Sequence, residues 1–90
     1  MLREKYIRLI RGFVEGEMSV KEFEQTYLTE FKAETEIVDD ELFNILDRLF
    51  ASVDSYWPGC QEGQETAFEI SEAHLRRDAA AALAKLNVNP

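Results

Sequence analysis

Apolar residues in this chain recur every three or four positions in four separate stretches. Nowhere do they alternate with polar residues over the length of a strand. That periodicity commits the chain to amphipathic helices rather than to a sheet. The first stretch runs from about Leu2 to Glu15, with Leu2, Tyr6, Leu9, Ile10 and Phe13 on one face. Arg3, Lys5, Arg8 and Arg11 fall off that face, and Gly16 stands where a helix C-terminal cap belongs. The second opens on Ser19-Val20-Lys21-Glu22, a capping box in which serine hydroxyl and glutamate carboxylate each satisfy a free backbone N–H. Val20, Phe23, Tyr27 and Phe31 follow as its apolar stripe, and it ends near Glu34. The third starts at Asp39 or Asp40, either of which can cap it. It carries Leu42, Ile45, Leu46, Leu49, Val53 and Tyr56 inward and stops at Trp57, because Pro58 disfavours helical geometry in the residue before it. A long connection, Pro58 to Ile70, follows, with Thr66 to Ile70 briefly extended. Ser71 caps a fourth helix that turns Leu75, Ala79, Ala82, Leu83 and Leu86 inward and ends at Asn87 or Asn89.

Ninety residues of this pattern make one domain, 1–90. The expected fold is all-α, a small antiparallel four-helix bundle. The turn between helices one and two is short, which makes them antiparallel neighbours. Helix three, with the widest apolar face, is expected at the centre.

Charge narrows the function. The net charge is −8, unevenly placed. Residues 1–14 hold Arg3, Lys5, Arg8 and Arg11 against Glu4, whereas nearly all the acids fall between 15 and 72. Such a chain repels a nucleic-acid backbone, so direct DNA or RNA binding is disfavoured. It attracts a basic protein. No apolar run reaches the roughly 20 residues of a membrane span. The N-terminus lacks a signal-peptide core, and the single cysteine, Cys60, excludes an internal disulfide. A cytoplasmic location is therefore expected.

Residues for catalysis are scarce. His74 is the sole histidine, and no metal-ligand spacing surrounds it. Ser71 occupies the position that a di-metal Glu-x-x-His motif reserves for glutamate. Cys60 and His74 could pair as nucleophile and base only with an orienting third group that the sequence does not suggest. The glycines fit no phosphate-binding loop. No cofactor, no metal and no enzymatic activity are expected.

One arrangement points to binding instead. Asp40, Asp47 and Asp54 repeat every seven residues along the third helix, and Phe43, Phe50 and Trp57 repeat beside them. Seven residues is nearly two turns, so each set lines up along the helix. An acidic ridge beside an aromatic one, aimed at a loop carrying Glu62, Glu65 and Glu69, suits a protein partner. The aromatic side chains supply area to desolvate, and the carboxylates meet Arg and Lys.

The ordered features also resemble a family, the colicin D immunity-like proteins, which includes immunity proteins of contact-dependent toxins. The first helix ends in Phe13-Val14-Glu15-Gly16, and the second opens on Met18-Ser19-Val20-Lys21-Glu22-Phe23-Glu24 and continues with Tyr27-Leu28-Thr29-Glu30-Phe31-Lys32. Ile45 to Tyr56 is similar to the family's third helix, and Ile70-Ser71-Glu72-Ala73-His74-Leu75-Arg76 to its entry into the fourth. The resemblance spans about residues 5–86. It implies a four-helix bundle that neutralises a cognate nuclease toxin, typically one that cleaves tRNA, by covering its basic substrate groove with acidic side chains. The family position that matches this role is Asp54, with Glu62 and Glu65 in the following loop. Together with the ridge, the residues expected to meet the partner are Asp47, Asp54, Tyr56, Trp57, Glu62, Glu65 and Glu69. The alternative is an acidic helical adaptor or chaperone holding a segment of another protein in an apolar groove.

Overall fold

A computed structural model of the chain describes residues 2–34, 40–66 and 69–88. They form four helices, α1 (Leu2–Val14), α2 (Val20–Ala33), α3 (Asp40–Ser55) and α4 (Glu72–Val88). Among the described residues there is no strand, only an isolated parallel bridge between Tyr56 and Ile70. The fold is thus all-α, as the periodicity predicts.

The helix ends follow from local chemistry. After α1, Gly16 takes φ +80°, which only glycine adopts without strain. The reversal lets the Glu17 N–H donate to the Gly12 carbonyl at 2.8 Å and the Gly16 N–H to that of Phe13 at 3.1 Å. That pair of bonds is the Schellman closure of a helix C-terminus. The capping box of α2 is present: Ser19 Oγ accepts from the Glu22 N–H at 3.1 Å, and Glu22 Oε1 from the Ser19 N–H at 3.2 Å. Asp40 is the first helical residue of α3, and Asp39 lies outside the described residues.

The end of α3 differs from expectation. The helix stops at Ser55 rather than Trp57. The Ile70 N–H donates to the Ser55 carbonyl at 3.0 Å, and the Trp57 N–H to the Ile70 carbonyl at 3.2 Å. Residues 56 and 57 are thus drawn into pairing with the returning chain before Pro58 exerts its effect. The Thr66 N–H donates to the Glu69 carbonyl at 3.0 Å and Ile70 pairs with Tyr56; residues 67 and 68 of the extension expected there lie outside the described residues. Ser71 does cap α4, its hydroxyl accepting from the His74 N–H at 3.1 Å. Asn87 lies inside α4, and Asn89 is outside the described residues.

The helices close into a ring in which α1 packs on α2 and α4, and α3 on the same two. No helix is central, contrary to the expectation for α3. Its broad apolar face is divided between two neighbours, and α1 buries Tyr6, Ile10 and Phe13 just as completely. Arg3 donates to the Leu86 carbonyl at 2.9 Å and Arg76 to that of Phe13 at 2.7 Å. The start of α1 therefore lies by the end of α4, and the end of α1 by the start of α4, so the two run antiparallel. The ring pairs Phe13–Phe23, centroids 4.2 Å apart, and Tyr6–Tyr27, 5.8 Å apart, set α1 antiparallel to α2 in the same way. Each guanidinium also meets the negative end of a helix dipole. Lys5 reaches across to Glu30 and Glu34 on and just after α2, so part of the basic face of α1 is neutralised within the chain. The buried Tyr27 hydroxyl donates to the Leu46 carbonyl at 2.6 Å, tying α2 to α3.

Candidate interaction surface

Asp40, Asp47 and Asp54 are all exposed along the outer side of α3. The aromatic line beside them divides. Phe31 of α2 packs on Phe43 and Phe50, with centroids 6.0 and 5.2 Å away. These two rings therefore close the seam between α2 and α3, though Phe43 remains 42% exposed. Trp57 is different: it lies beyond the helix end and is 58% exposed. Asp54, three residues earlier, occupies the last turn of α3, where no basic residue is present. A carboxylate there faces the negative end of the helix dipole, an unfavourable position.

The loop after α3 folds back on its own start. The Cys60 N–H donates to the Trp57 carbonyl at 2.9 Å and the Gln64 N–H to that of Gln61 at 3.0 Å. Gly59 underlies the indole: a Cβ at that position would come within 2.9 Å of Trp57 Nε1. Glu62 and Glu69 are exposed, and Glu62 lies 3.3 Å from Arg77 Nη1 on α4. Tyr56 is half-buried, and burial, followed by the charges of Glu72 and Glu24, pushes its phenol up.

Glu65 is half-buried and held inside the loop. Its Oε2 accepts from Ser71 Oγ at 2.6 Å and the Ser71 N–H at 3.3 Å, and lies 3.2 Å from His74 Nδ1. His74 Nε2 is 3.4 Å from Asp78 Oδ2, which accepts from Ser52 Oγ of α3 at 2.7 Å. A polar chain thus runs from the loop through α4 to α3. Of the residues expected to meet a partner, Asp47, Asp54, Trp57, Glu62 and Glu69 are open to solvent, while Tyr56 and Glu65 are half-buried. The Ser71 cap is legible in the sequence, but that its hydroxyl also serves Glu65 is not. The one signal was an acid a few residues ahead of a capping serine.

The Ser71 hydroxyl holds the Glu65 carboxyl below its usual range. A depressed carboxyl contributes stability above its unfolded value, near 4.3, and loses it as pH falls through the lower folded value. Acidification below about pH 4.3 is therefore expected to weaken the hold of Glu65 on Ser71 only slightly, because the neutral acid still offers Ser71 an acceptor oxygen. An acid titration of Trp57 emission checks this: the wild-type transition in that window should be small and should shrink further in Glu65→Gln.

The residues weighed for catalysis do not assemble. Burial, then Glu65 and Glu69, pushes the Cys60 thiol up, away from the reactive thiolate. The His74 ring nitrogens face two carboxylates rather than a thiol. No group of three or more metal-ligating side chains gathers among the described residues. No helix among them is long and apolar enough to cross a membrane. A cleft of about 310 Å³ separates α3 from α4, but Arg48, Ser52, Asp78 and Lys85 line it beside Ile45, Leu49, Ala81 and Ala82. That mixed lining is not the apolar trough that an adaptor reading requires.

A family model described as bacterial self-protective colicin-like immunity matches residues 1–86. No curated protein and no solved structure matches the chain.

Proposed function

The chain belongs to the bacterial self-protective colicin-like immunity family, and from that premise we propose that it neutralises a nuclease toxin by covering a basic substrate groove with its acidic surface. Membership supports an immunity protein that binds a toxin, and so favours an inhibitor over an enzyme. The nuclease target, with tRNA as its substrate, is the finer reading. The surface is centred on Asp54, Trp57 and Glu62, flanked by Asp47 and Glu69, with Tyr56 packed beneath.

One observation carries this reading. Asp54 and Trp57 are both placed against local physics: an acid at the negative end of a helix, and the largest side chain left in water. Departures from the locally favourable choice concentrate where function requires them. An exposed tryptophan beside carboxylates suits a pocket rimmed by Arg and Lys. A groove built for phosphates presents such cations at spaced positions, and carboxylates can occupy the places that phosphates would take. The same charge accelerates encounter with a basic toxin.

The test is calorimetry and tRNA cleavage with the nuclease domain of a toxin found by sequencing the genes that flank the chain's own. One inhibitor per toxin should stop cleavage, and affinity should fall steeply between about 50 and 200 mM salt, as exposed charge pairs become screened. Binding that ignores salt, or that leaves tRNA cleavage intact, would remove the groove-covering mechanism.

A further inference from the structure

We infer that Glu65 serves the docking surface from within, as a positioning residue that clasps the loop shut so that Trp57 and Glu62 are presented in fixed places. This deepens the docking reading above and rests on it. The loop leaves the end of α3 and returns beside it through the bonds joining Ser55, Trp57 and Ile70. The further backbone bonds of the loop, from Cys60 to Trp57, Gln64 to Gln61 and Thr66 to Glu69, are local and do not tie it to α4. Glu65 adds the second closure. Ser71 Oγ, the Ser71 N–H and His74 Nδ1 all meet a single carboxylate oxygen, and the Gly63 N–H also supports the carboxylate. Gly63 takes φ +89°, a left-handed turn open to glycine. His74, Asp78 and Ser52 then carry the tie from α4 onto α3.

This geometry separates acids that hold from acids that present. A guanidinium binds a carboxylate best with two parallel bonds, one to each oxygen. Glu65 Oε2 is already surrounded by donors, so Glu65 could offer that face only by releasing the loop. Asp54 and Glu62 are exposed, and the Arg77 partner of Glu62 is itself largely in solvent. They can turn to a partner at little cost. The gain from the clasp is preorganisation: a loop already in its bound form loses less freedom on binding.

The test compares Glu65→Gln with Glu65→Ala. Glutamine keeps an acceptor oxygen for Ser71 and removes the charge, whereas alanine removes both. Three readouts apply: hydrogen exchange at the Ser71 and His74 amides, acrylamide quenching of Trp57, the sole tryptophan, and calorimetry with the toxin domain at two salt concentrations. Alanine is expected to speed exchange at Ser71 about tenfold, raise quenching and weaken binding about tenfold. Glutamine should restore all three to within about twofold of wild type, with an unchanged salt dependence. If glutamine binds as weakly as alanine and with a shallower salt dependence, Glu65 is a direct contact and the clasp role falls. Unchanged exchange in the alanine variant would overturn it equally. Exchange and quenching need no partner, so a wild-type chain that fails to bind the toxin domain sinks the docking reading while those two readouts still decide the clasp.

Discussion

Asp54→Lys combined with Glu62→Lys is expected to weaken toxin binding at least a hundredfold while the bundle stays folded. Truncating one partner of a buried charge pair costs about 2 to 5 kcal/mol, and each 1.4 kcal/mol is tenfold in affinity. Reversal adds repulsion to that loss. The fold has little at stake in either residue. Asp54 opposes the dipole of α3, so lysine there should be favourable by a few tenths of a kcal/mol. The Glu62–Arg77 pair is exposed on both sides, and such pairs contribute about 0 to 1 kcal/mol. The melting midpoint of the double variant should therefore match or slightly exceed that of wild type. A change that preserves or raises stability while abolishing binding is what separates a docking residue from a structural one. Glu4→Lys with Glu15→Lys is the matched control. It changes the net charge equally, but both residues are exposed on or just after α1, which packs on α2 and α4 rather than on α3. If the control loses binding and the Asp54/Glu62 variant does not, the partner docks on the opposite side of the bundle.

Much of this molecule is legible in its sequence because helical signals are local. The apolar stripes select the residues that are buried: Phe23 and Tyr27 in α2, and Leu42, Ile45, Leu46, Leu49 and Val53 in α3. The caps at Gly16, Ser19 and Ser71 depend on residues within a few positions of one another, and all three form. What is hidden depends on contacts between distant residues. The helix periodicity of Tyr56 continues that of α3, but the backbone leaves the helix because Ile70 competes for it. The seven-residue spacing correctly aligns Phe43 and Phe50, yet spacing alone does not reveal that Phe31 covers them from α2. Counting acids in the loop likewise treats Glu62, Glu65 and Glu69 as equivalent. Only the return of Ser71 and His74 against Glu65 separates that residue from its neighbours. The same limit applies to Arg3, which falls off the apolar face of its helix, and to Arg76: that both close helix ends across the bundle depends on distant residues.

Phe13→Ala should do the greatest damage to the fold, because this ring joins three helices. It is fully buried, stacks on Phe23 of α2 with the planes only 3° apart, and carries the Arg76 guanidinium of α4 over its face at 4.4 Å. Removing a buried phenylalanine costs about 3 to 5 kcal/mol, as the transfer energy and the cavity add. Arg76 loses its aromatic face as well. A chain of this length holds roughly 5 to 13 kcal/mol in total, so the variant loses a large fraction of it. For a domain of this size each kcal/mol shifts the melting midpoint by about 4 to 8 °C, so a fall of more than about 12 °C is expected by circular dichroism. Phe43→Ala provides the contrast. Phe43 is already 42% exposed and leans on Phe31 at 6.0 Å, so a large part of its surface never left water and its loss should lower the midpoint by only a few degrees. If Phe43→Ala proved the more damaging, the seam between α2 and α3, rather than the junction of α1, α2 and α4, would be what holds the bundle together. That seam runs beside the acidic ridge, so the same result would also make the docking surface dependent on how tightly α3 is held against α2.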